Sequence, residues 1–198
     1  MATQYATSHR TNSMSTLITD IGINAQIIIY TGAIPANVGT APTGTLLVQY
    51  AGNATAFGTS TTAVLTASAV ANATAAASGT AGYYRINTSG AAAIMQGLVF
   101  QQSVIATNAL TAANGNVLNF ASTTGVAVGM TVSGTGVLAG STVVALTSTT
   151  VTLSLTSTAG VASAASITFG GDVVLGNTVI ASGQTCTFNS FTVTANGA

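Results

Sequence analysis

The stretch from Gly82 to Gly97 reads GYYRINTSGAAAIMQG and predicts a β-hairpin. Its first arm, Gly82–Asn87, combines two tyrosines with an isoleucine, and aromatic and β-branched residues favour strands. The Ser89-Gly90 pair has the composition of a tight turn, and the second arm follows at Ala93–Gly97. This pattern is typical of an antiparallel β protein.

Short strand candidates separated by turn residues recur on both sides of this hairpin. One of them, Ala25–Tyr30, contains three consecutive isoleucines and is followed by a loop, Ala33–Gly44, that holds both prolines of the chain. The other candidates in this part of the chain are Leu46–Tyr50, Ala63–Ala69, Ala81–Thr88, Ala93–Gln101, Val173–Ile180 and Thr185–Thr194. Many short strands with almost no helix predict an all-β fold, a jelly roll or a β-sandwich.

One short N-terminal helix is predicted over Asn12–Ile21. Its apolar residues recur at helical spacing, at Met14, Leu17, Ile18 and Ile21. Asn12 or Ser13 would be the N-cap, and Gly22 would end the helix. A helix this short is marginal alone, so we expect it to pack against the sheet.

The region 104–169 contains no charged residue and alternates threonine and serine with valine, leucine and isoleucine. Its strand candidates are Val117–Phe120, Met130–Gly134, Thr142–Leu146, Thr150–Ser154 and Ser166–Phe169. The strands before and after it both suit the first domain, and insertions are best tolerated in exposed loops. We therefore predict a small β-sandwich or barrel-like module at 104–169, inserted into a discontinuous host domain of 1–103 and 170–198.

Charge is the most unusual property of the composition. Lysine and arginine together number 2 and aspartate and glutamate 2, so 2% of residues are charged, against about 25% in an ordinary soluble domain. An uncharged surface is desolvated at low cost and suits permanent assembly with other proteins. A net charge of +0 without a basic cluster argues against binding to nucleic acid or to an anionic membrane surface. No apolar run approaches the length of about 18 residues that a membrane helix needs, and the N-terminus lacks the apolar segment of a Sec signal peptide.

Catalytic chemistry needs ionisable groups that converge, and the chain has few of them. Asp20 and Asp172 are far apart in sequence, and neither His9 nor Cys186 has the surroundings of a nucleophile or a base. One histidine and one cysteine cannot form a zinc site, and no glycine pattern of a phosphate loop follows a strand. We therefore expect no enzyme activity and no catalytic, metal-binding or cofactor-binding residue; a weak calcium site at Asp172 is the remaining alternative. Cys186 is expected to be a small buried strand residue.

Two places are candidates for a protein interface. Arg85 follows Tyr83 and Tyr84 in a strand, and arginine and tyrosine are enriched where partner proteins bind. The alternative is an exposed arginine that stacks on a neighbouring tyrosine. Arg10, next to His9, would belong to an N-terminal arm that reaches a neighbouring subunit, with ordinary disorder as the alternative.

The host domain resembles a family of small tailed-phage structural proteins. The resemblance lies in a short helix (SMSTLITDIG), a strand ending in IIIYTGAIP, the aromatic-arginine strand GTAGYYRINTSG, the strand AIMQG and the terminal segment ASGQTCTFNSFTVTANG. It covers roughly residues 1–103 and 170–198 and includes no catalytic motif.

The insert is similar to Thr/Gly-rich β modules of phage virion proteins and bacterial surface proteins, through VGMTVSGTG and STTVTLS. Together the two resemblances imply a component of the virion. The specific expectation is a decoration (cement) protein on the capsid surface that binds the major capsid protein as a homo-oligomer, with a trimer favoured. The alternative is a tail, fibre or surface adhesin that binds host glycans through the insert, although the only aromatic residues there are Phe120 and Phe169.

Overall fold

The protein is described by a computed structural model that covers residues 6–52, 57–58, 64–68, 70–157, 159–171 and 173–194. In these ranges it forms one helix and sixteen short strands. In chain order they are α1 (Thr7–Ile21), β1 (Gln26–Thr31), β2 (Leu46–Ala51), β3 (Val64–Thr66), β4 (Ala73–Thr74), β5 (Gly79–Asn87), β6 (Ala93–Gln101), β7 (Ser103–Ala106), β8 (Val117–Asn119), β9 (Thr131–Ser133), β10 (Val143–Leu146), β11 (Thr150–Leu153), β12 (Ser166–Gly170), β13 (Val173–Leu175), β14 (Val179–Ile180), β15 (Thr185–Cys186) and β16 (Phe188–Thr194). The predicted all-β fold with one short N-terminal helix is confirmed.

The chain divides into two compact units. The first comprises Met1–Phe100 and Asp172–Gly197, and the second comprises Gln101–Gly171. The second unit lies in the connection between β6 and β13, which are neighbouring strands of one sheet in the first unit.

The first unit is organised around an eight-stranded sheet. Its strand order is β2-β1-β5-β6-β13-β16-β3, with β14 also paired to β5, and β15 and β4 form a separate two-stranded sheet. The β5–β6 hairpin predicted from the sequence is present and antiparallel, with Arg85 opposite Gln96. Strand β1 lies in the interior of the sheet, paired on one side with β2 and on the other with β5.

Successive residues of a strand point to opposite faces of a sheet, and both faces of β1 and β5 are buried. Ile27, Ile29 and Tyr84 belong to the main apolar core, which includes aromatic contacts such as Tyr84 with Phe191 at a ring-centroid distance of 5.3 Å. The opposite face carries a second, small apolar cluster around Tyr83. Burial on both faces accounts for the unbroken apolar run of β1.

Helix α1 begins earlier than predicted, at Thr7 rather than Asn12, and no side chain caps its first turn. The predicted N-cap at Asn12 or Ser13 is wrong, because both residues lie inside the helix. The hydroxyl of Ser13 donates instead to the carbonyl of His9, four residues earlier, at 3.1 Å. The end at Gly22 is confirmed, and the predicted apolar face of α1 packs against the main core through its partly and fully buried residues.

The second unit consists of two three-stranded sheets, β10-β11-β8 and β7-β12-β9. Backbone hydrogen bonds join them on both sides: Val132 donates to Ser141 between β9 and β10, and Asn108 donates to Asn119 next to the bridge between Thr107 and Phe120. Pairing therefore runs round all six strands, as in a barrel.

Buried hydroxyl groups hold the loops of the second unit. Each donates to a backbone carbonyl: Thr107 to Ala162 at 2.7 Å, Thr111 to Val117 at 2.8 Å, Thr123 to Thr147 at 2.5 Å, Ser141 to Leu138 at 2.7 Å and Ser157 to Ala112 at 3.3 Å. Such bonds satisfy loop carbonyls that the strand ladders leave unpaired. The Thr/Ser-rich composition of the insert thus has a structural role inside it, besides covering its surface.

Candidate functional site

The loop between β1 and β2 is folded back on itself, and residues 33–44 of it are called the strap below. Its two ends are tied together, since the backbone N–H of Thr31 donates to the carbonyl of Thr45 at 3.0 Å and the N–H of Thr45 donates to Oγ1 of Thr31 at 2.9 Å. A second turn lies within it, where Thr40 donates to Asn37 through both its N–H, at 3.2 Å, and its hydroxyl, at 3.0 Å. A compact loop with closed ends is the usual form of an Ω-loop.

The side chains of Arg85 and Gln96, on the β5–β6 hairpin, hold the strap by hydrogen bonds. Nε and Nη2 of Arg85 donate to Oε1 of Gln96 at 3.2 and 3.0 Å, and Nη2 also donates to the carbonyl of Thr40. The amide Nε2 of Gln96 donates to the carbonyl of Pro35 at 2.7 Å. One residue pair of the β5–β6 hairpin therefore fixes the strap at two points five residues apart.

An apolar cluster lies beside this clamp. Ile28, Tyr30 and Tyr83 are buried together, with Ile34 of the strap and Leu46 packed against them. The rings of Tyr30 and Tyr83 are stacked, with centroids 5.2 Å apart. Burial, with a smaller contribution from Tyr83, raises the pKa of Tyr30 above its usual value, and the nearby Arg85 partly opposes this shift.

The outer side of the strap is exposed and carries no charge. Its exposed residues are Ala33, Ala36, Asn37, Gly39, Thr40, Ala41, Pro42 and Thr43. Pro35, in contrast, is buried against the sheet. The strap therefore presents small, uncharged groups on a backbone that is held from inside.

The predicted interface residues of β5 are buried within the first unit. Tyr83 and Tyr84 are 0% exposed and Arg85 is 4% exposed. The alternative of an exposed arginine that stacks on a tyrosine is wrong, because the strap covers this face of the sheet. A direct contact of these side chains with a partner chain stays a prediction. For Tyr83 and Arg85 it would require the strap to move, whereas Tyr84 faces the main core on the other side of the sheet.

Arg10 and His9 lie inside α1, so the predicted N-terminal arm is wrong for these two residues. Nη2 of Arg10 donates to Oγ1 of Thr7 at 3.2 Å, one helical turn earlier. A contact of Arg10 with a neighbouring subunit stays a prediction.

Gln96 and the strap were not among the residues that sequence reasoning selected. The Ser89-Gly90 turn, taken as a two-residue hairpin loop, would place Arg85 opposite Ile94, whereas the observed register places it opposite Gln96. Two features together produce the difference: a longer connection, in which the N–H of Thr88 donates to the carbonyl of Ala92 at 2.8 Å, and a register shift between Ile86 and Asn87.

A small cavity of about 100 Å³ lies elsewhere in the first unit, lined by residues that include Tyr50, Gln184 and Cys186. Cys186 is 6% exposed in β15, as predicted for a buried strand residue, and burial raises the pKa of its thiol. Burial is also the main cause of the raised pKa of Tyr50, with Cys186 contributing, and the Tyr50 hydroxyl has no hydrogen-bond partner in the part of the chain that the structure describes. A protonated thiol and a protonated phenol are poor nucleophiles, so this cavity lacks the features of a catalytic site.

The second unit exposes several large apolar side chains, namely Val104, Leu110, Val117, Val128, Val144 and Leu146. Its two aromatic residues, Phe120 and Phe169, are instead fully buried and contact each other edge to face at 5.6 Å. Neither ring can therefore provide the exposed aromatic surface on which a sugar would stack, and this weighs against the glycan-binding alternative.

Formal charge is confined to a small part of the described surface. Of the formally charged residues within the described ranges, Arg85 is buried, while Arg10 and Asp20 both lie on α1. Asp172, with the weak calcium site considered for it, lies outside those ranges. Among the described residues there is no group of three histidine, cysteine, aspartate or glutamate side chains that could hold a metal ion. No helix in the same ranges has the length and apolar character needed to cross a membrane.

No protein-family model matches the chain, and neither a curated protein nor a solved structure matches it. The resemblance to tailed-phage structural proteins therefore stays a hypothesis based on the sequence patterns quoted above.

Proposed function

We propose that this chain is a non-enzymatic structural component of a bacteriophage virion, a decoration protein that binds the major capsid protein and stabilises the shell. It acts as a homo-oligomer, with a trimer favoured, on the capsid surface. The assignment to a phage virion rests on the sequence resemblance. The uncharged surface of the protein supports the proposal that it acts by binding to other proteins.

The observation that carries the proposal is the distribution of charge. The described surface outside α1 consists of uncharged residues, and the second unit adds exposed valine and leucine side chains to it. Contact with another protein would therefore remove little hydration from ions, and each apolar methylene group buried in that contact contributes about 0.8 kcal/mol.

Stabilisation of the shell follows from binding alone. A protein that binds the assembled shell and has no affinity for its separated subunits shifts the equilibrium towards the shell by mass action. No bond has to be formed or broken, which fits a chain with so few ionisable groups. Edge strands without lysine residues also leave pairing with neighbouring chains open.

The experiment is to label purified particles with an antibody raised against the purified chain and to determine their structure by electron cryomicroscopy. Label and matching density in icosahedral copy number on the shell support the proposal. Density confined to the tail would favour the adhesin alternative, and particles without the chain would contradict any role in the virion.

A further inference from the structure

The strap is much longer than the hairpin that contains it requires. Strands β1 and β2 are antiparallel neighbours, and such strands are usually joined by two to five residues. Here the connection runs from Gly32 to Thr45. Ordering the additional residues costs conformational entropy, so their retention in a fixed shape calls for a reason beyond joining two strands.

The clamp under the strap also has a cost. Arg85 is 4% exposed, and its hydrogen-bond partners within the described ranges are the neutral oxygens of Gln96 and Thr40, with no carboxylate among them. A buried guanidinium is expensive to desolvate. Arg85 nevertheless occupies this position and donates to the carbonyl of Thr40, an exposed residue of the strap.

We propose that the strap is a preformed recognition loop, held in its binding conformation by Arg85 and Gln96, and that it binds an uncharged protein surface on the shell. This inference rests on the proposed function. A loop fixed before binding loses less conformational entropy when the complex forms, so a small contact area gives a larger affinity.

The chemistry of the strap indicates the kind of partner. Its exposed groups are the side chains of Asn37, Thr40, Pro42 and Thr43, together with exposed alanine and glycine residues. These groups pair with neutral polar and apolar surface and give a charged partner no counter-ion. Binding through the strap should therefore change little between about 50 and about 500 mM salt, a range over which contacts between opposite charges weaken strongly.

Two asparagines provide a matched pair of variants for the test. Asn37 and Asn177 are both exposed in the first unit, and each accepts a hydrogen bond within a turn through Oδ1, from the Thr40 hydroxyl at 3.0 Å and from the Val179 N–H at 3.0 Å. An aspartate can accept the same bond, so Asn37→Asp and Asn177→Asp each add one negative charge and keep the turn. Only the first adds it to the strap.

The experiment measures binding of the purified full chain to shells prepared from particles that lack it, by co-sedimentation. We expect Asn37→Asp to weaken binding about tenfold or more, because a charge at the centre of a neutral contact loses its hydration without a partner. Asn177→Asp should bind like the unaltered chain. Equal binding by both variants, or equal weakening of both, would overturn the role of the strap and leave the proposed function in place. Failure of the unaltered chain to bind these shells would overturn both.

A second measurement tests the clamp in the free protein. Arg85→Met removes the bonds to Thr40 and Gln96, so amide hydrogen exchange in the strap should become faster, and shell binding should weaken about tenfold as the loop loses its fixed shape. Unchanged exchange in the strap, or faster exchange with unchanged binding, would contradict the inference.

Discussion

Arg85 and Gln96 face each other across the β5–β6 hairpin, and each holds one backbone carbonyl of the same loop, Thr40 for the arginine and Pro35 for the glutamine. The two side chains also hold each other through two hydrogen bonds to one amide oxygen. Because paired strands have little conformational freedom, the β5–β6 hairpin fixes the shape of the strap at the surface.

The first prediction concerns the stability contributed by this clamp. Arg85→Met should lower the free energy of unfolding by about 2 kcal/mol, because it leaves Oε1 of Gln96 and the carbonyl of Thr40 without their donor. Urea denaturation of the purified chain measures the change. Arg10→Met is the control, since the bond from Arg10 to Thr7 joins neighbouring turns of α1 and should contribute less than about 1 kcal/mol. Similar losses for the two variants would contradict the assignment.

The second prediction concerns a close approach in the same hairpin. Gly97 lies opposite Tyr84, and a Cβ at Gly97 would be 2.6 Å from Cε1 of that ring. Gly97→Ala should therefore destabilise the first unit by about 1–3 kcal/mol, because a ring buried in the main core has little room to move. Gly90→Ala is the control, since its Cβ would meet Oγ1 of Thr88 at an ordinary 3.7 Å. Equal denaturation midpoints for the two variants would contradict this prediction, because they would show that the ring of Tyr84 moves to accommodate the added methyl group.

The third prediction concerns the buried hydroxyls of the second unit. Thr107 donates to the carbonyl of Ala162 at 2.7 Å and accepts from the N–H of Ala165 at 3.0 Å. Thr107→Val keeps the shape but removes both bonds, and it leaves the two backbone groups only the long 3.4 Å bond from the Ala165 N–H to the Ala162 carbonyl. This should cost about 1–3 kcal/mol. Thr131→Val, at an exposed strand position, should change stability by less than about 0.5 kcal/mol. Thermal unfolding of both variants gives the comparison, and a stable Thr107→Val protein would mean that the bonds are dispensable.

The fourth prediction concerns alkaline pH. Burial raises the pKa of Tyr50 in the folded protein, whereas an unfolded tyrosine ionises near pH 10. Below that pH both states keep the proton; above it the unfolded state loses its proton first, so stability falls as pH rises further. Tyr50→Phe should be close to neutral at pH 7, because it removes a buried hydroxyl without a described partner, and it should reduce the loss of stability above about pH 10. Identical pH profiles of unfolding for the two proteins would contradict the assignment to Tyr50.

Sequence patterns predicted the class of the fold well because strand formation depends on local composition and turns. The β5–β6 hairpin, the apolar face of α1 and the buried position of Cys186 follow from spacing and residue type, and each is present. The strand candidate Val173–Ile180 is instead two strands, β13 and β14, separated by Gly176, Asn177 and Thr178. Parts of the candidate Ala63–Ala69 lie outside the described residues.

The candidate site was harder to predict because it depends on contacts between distant residues. Arg85 and Thr40 are 45 positions apart, and a loop rich in alanine and threonine gives no local sign that it folds over a sheet. The Tyr83-Tyr84-Arg85 sequence has the composition of an interface, and the same composition also suits a sheet that is covered on both faces. The second case holds, because the strap covers one face of β5 and the main core covers the other. The position of the strap follows from tertiary contacts, which local sequence does not reveal.

The position of the second unit has a consequence for how such a protein can diversify. It occupies a connection between two adjacent strands of the first unit, and its own first and last strands, β7 and β12, pair with each other from Ser103 and Phe169 onwards. The chain thus leaves the host sheet at the end of β6 and re-enters it at the start of the adjacent strand β13. A different inserted domain whose first and last strands pair could replace the second unit at this point without changing the register of the host sheet.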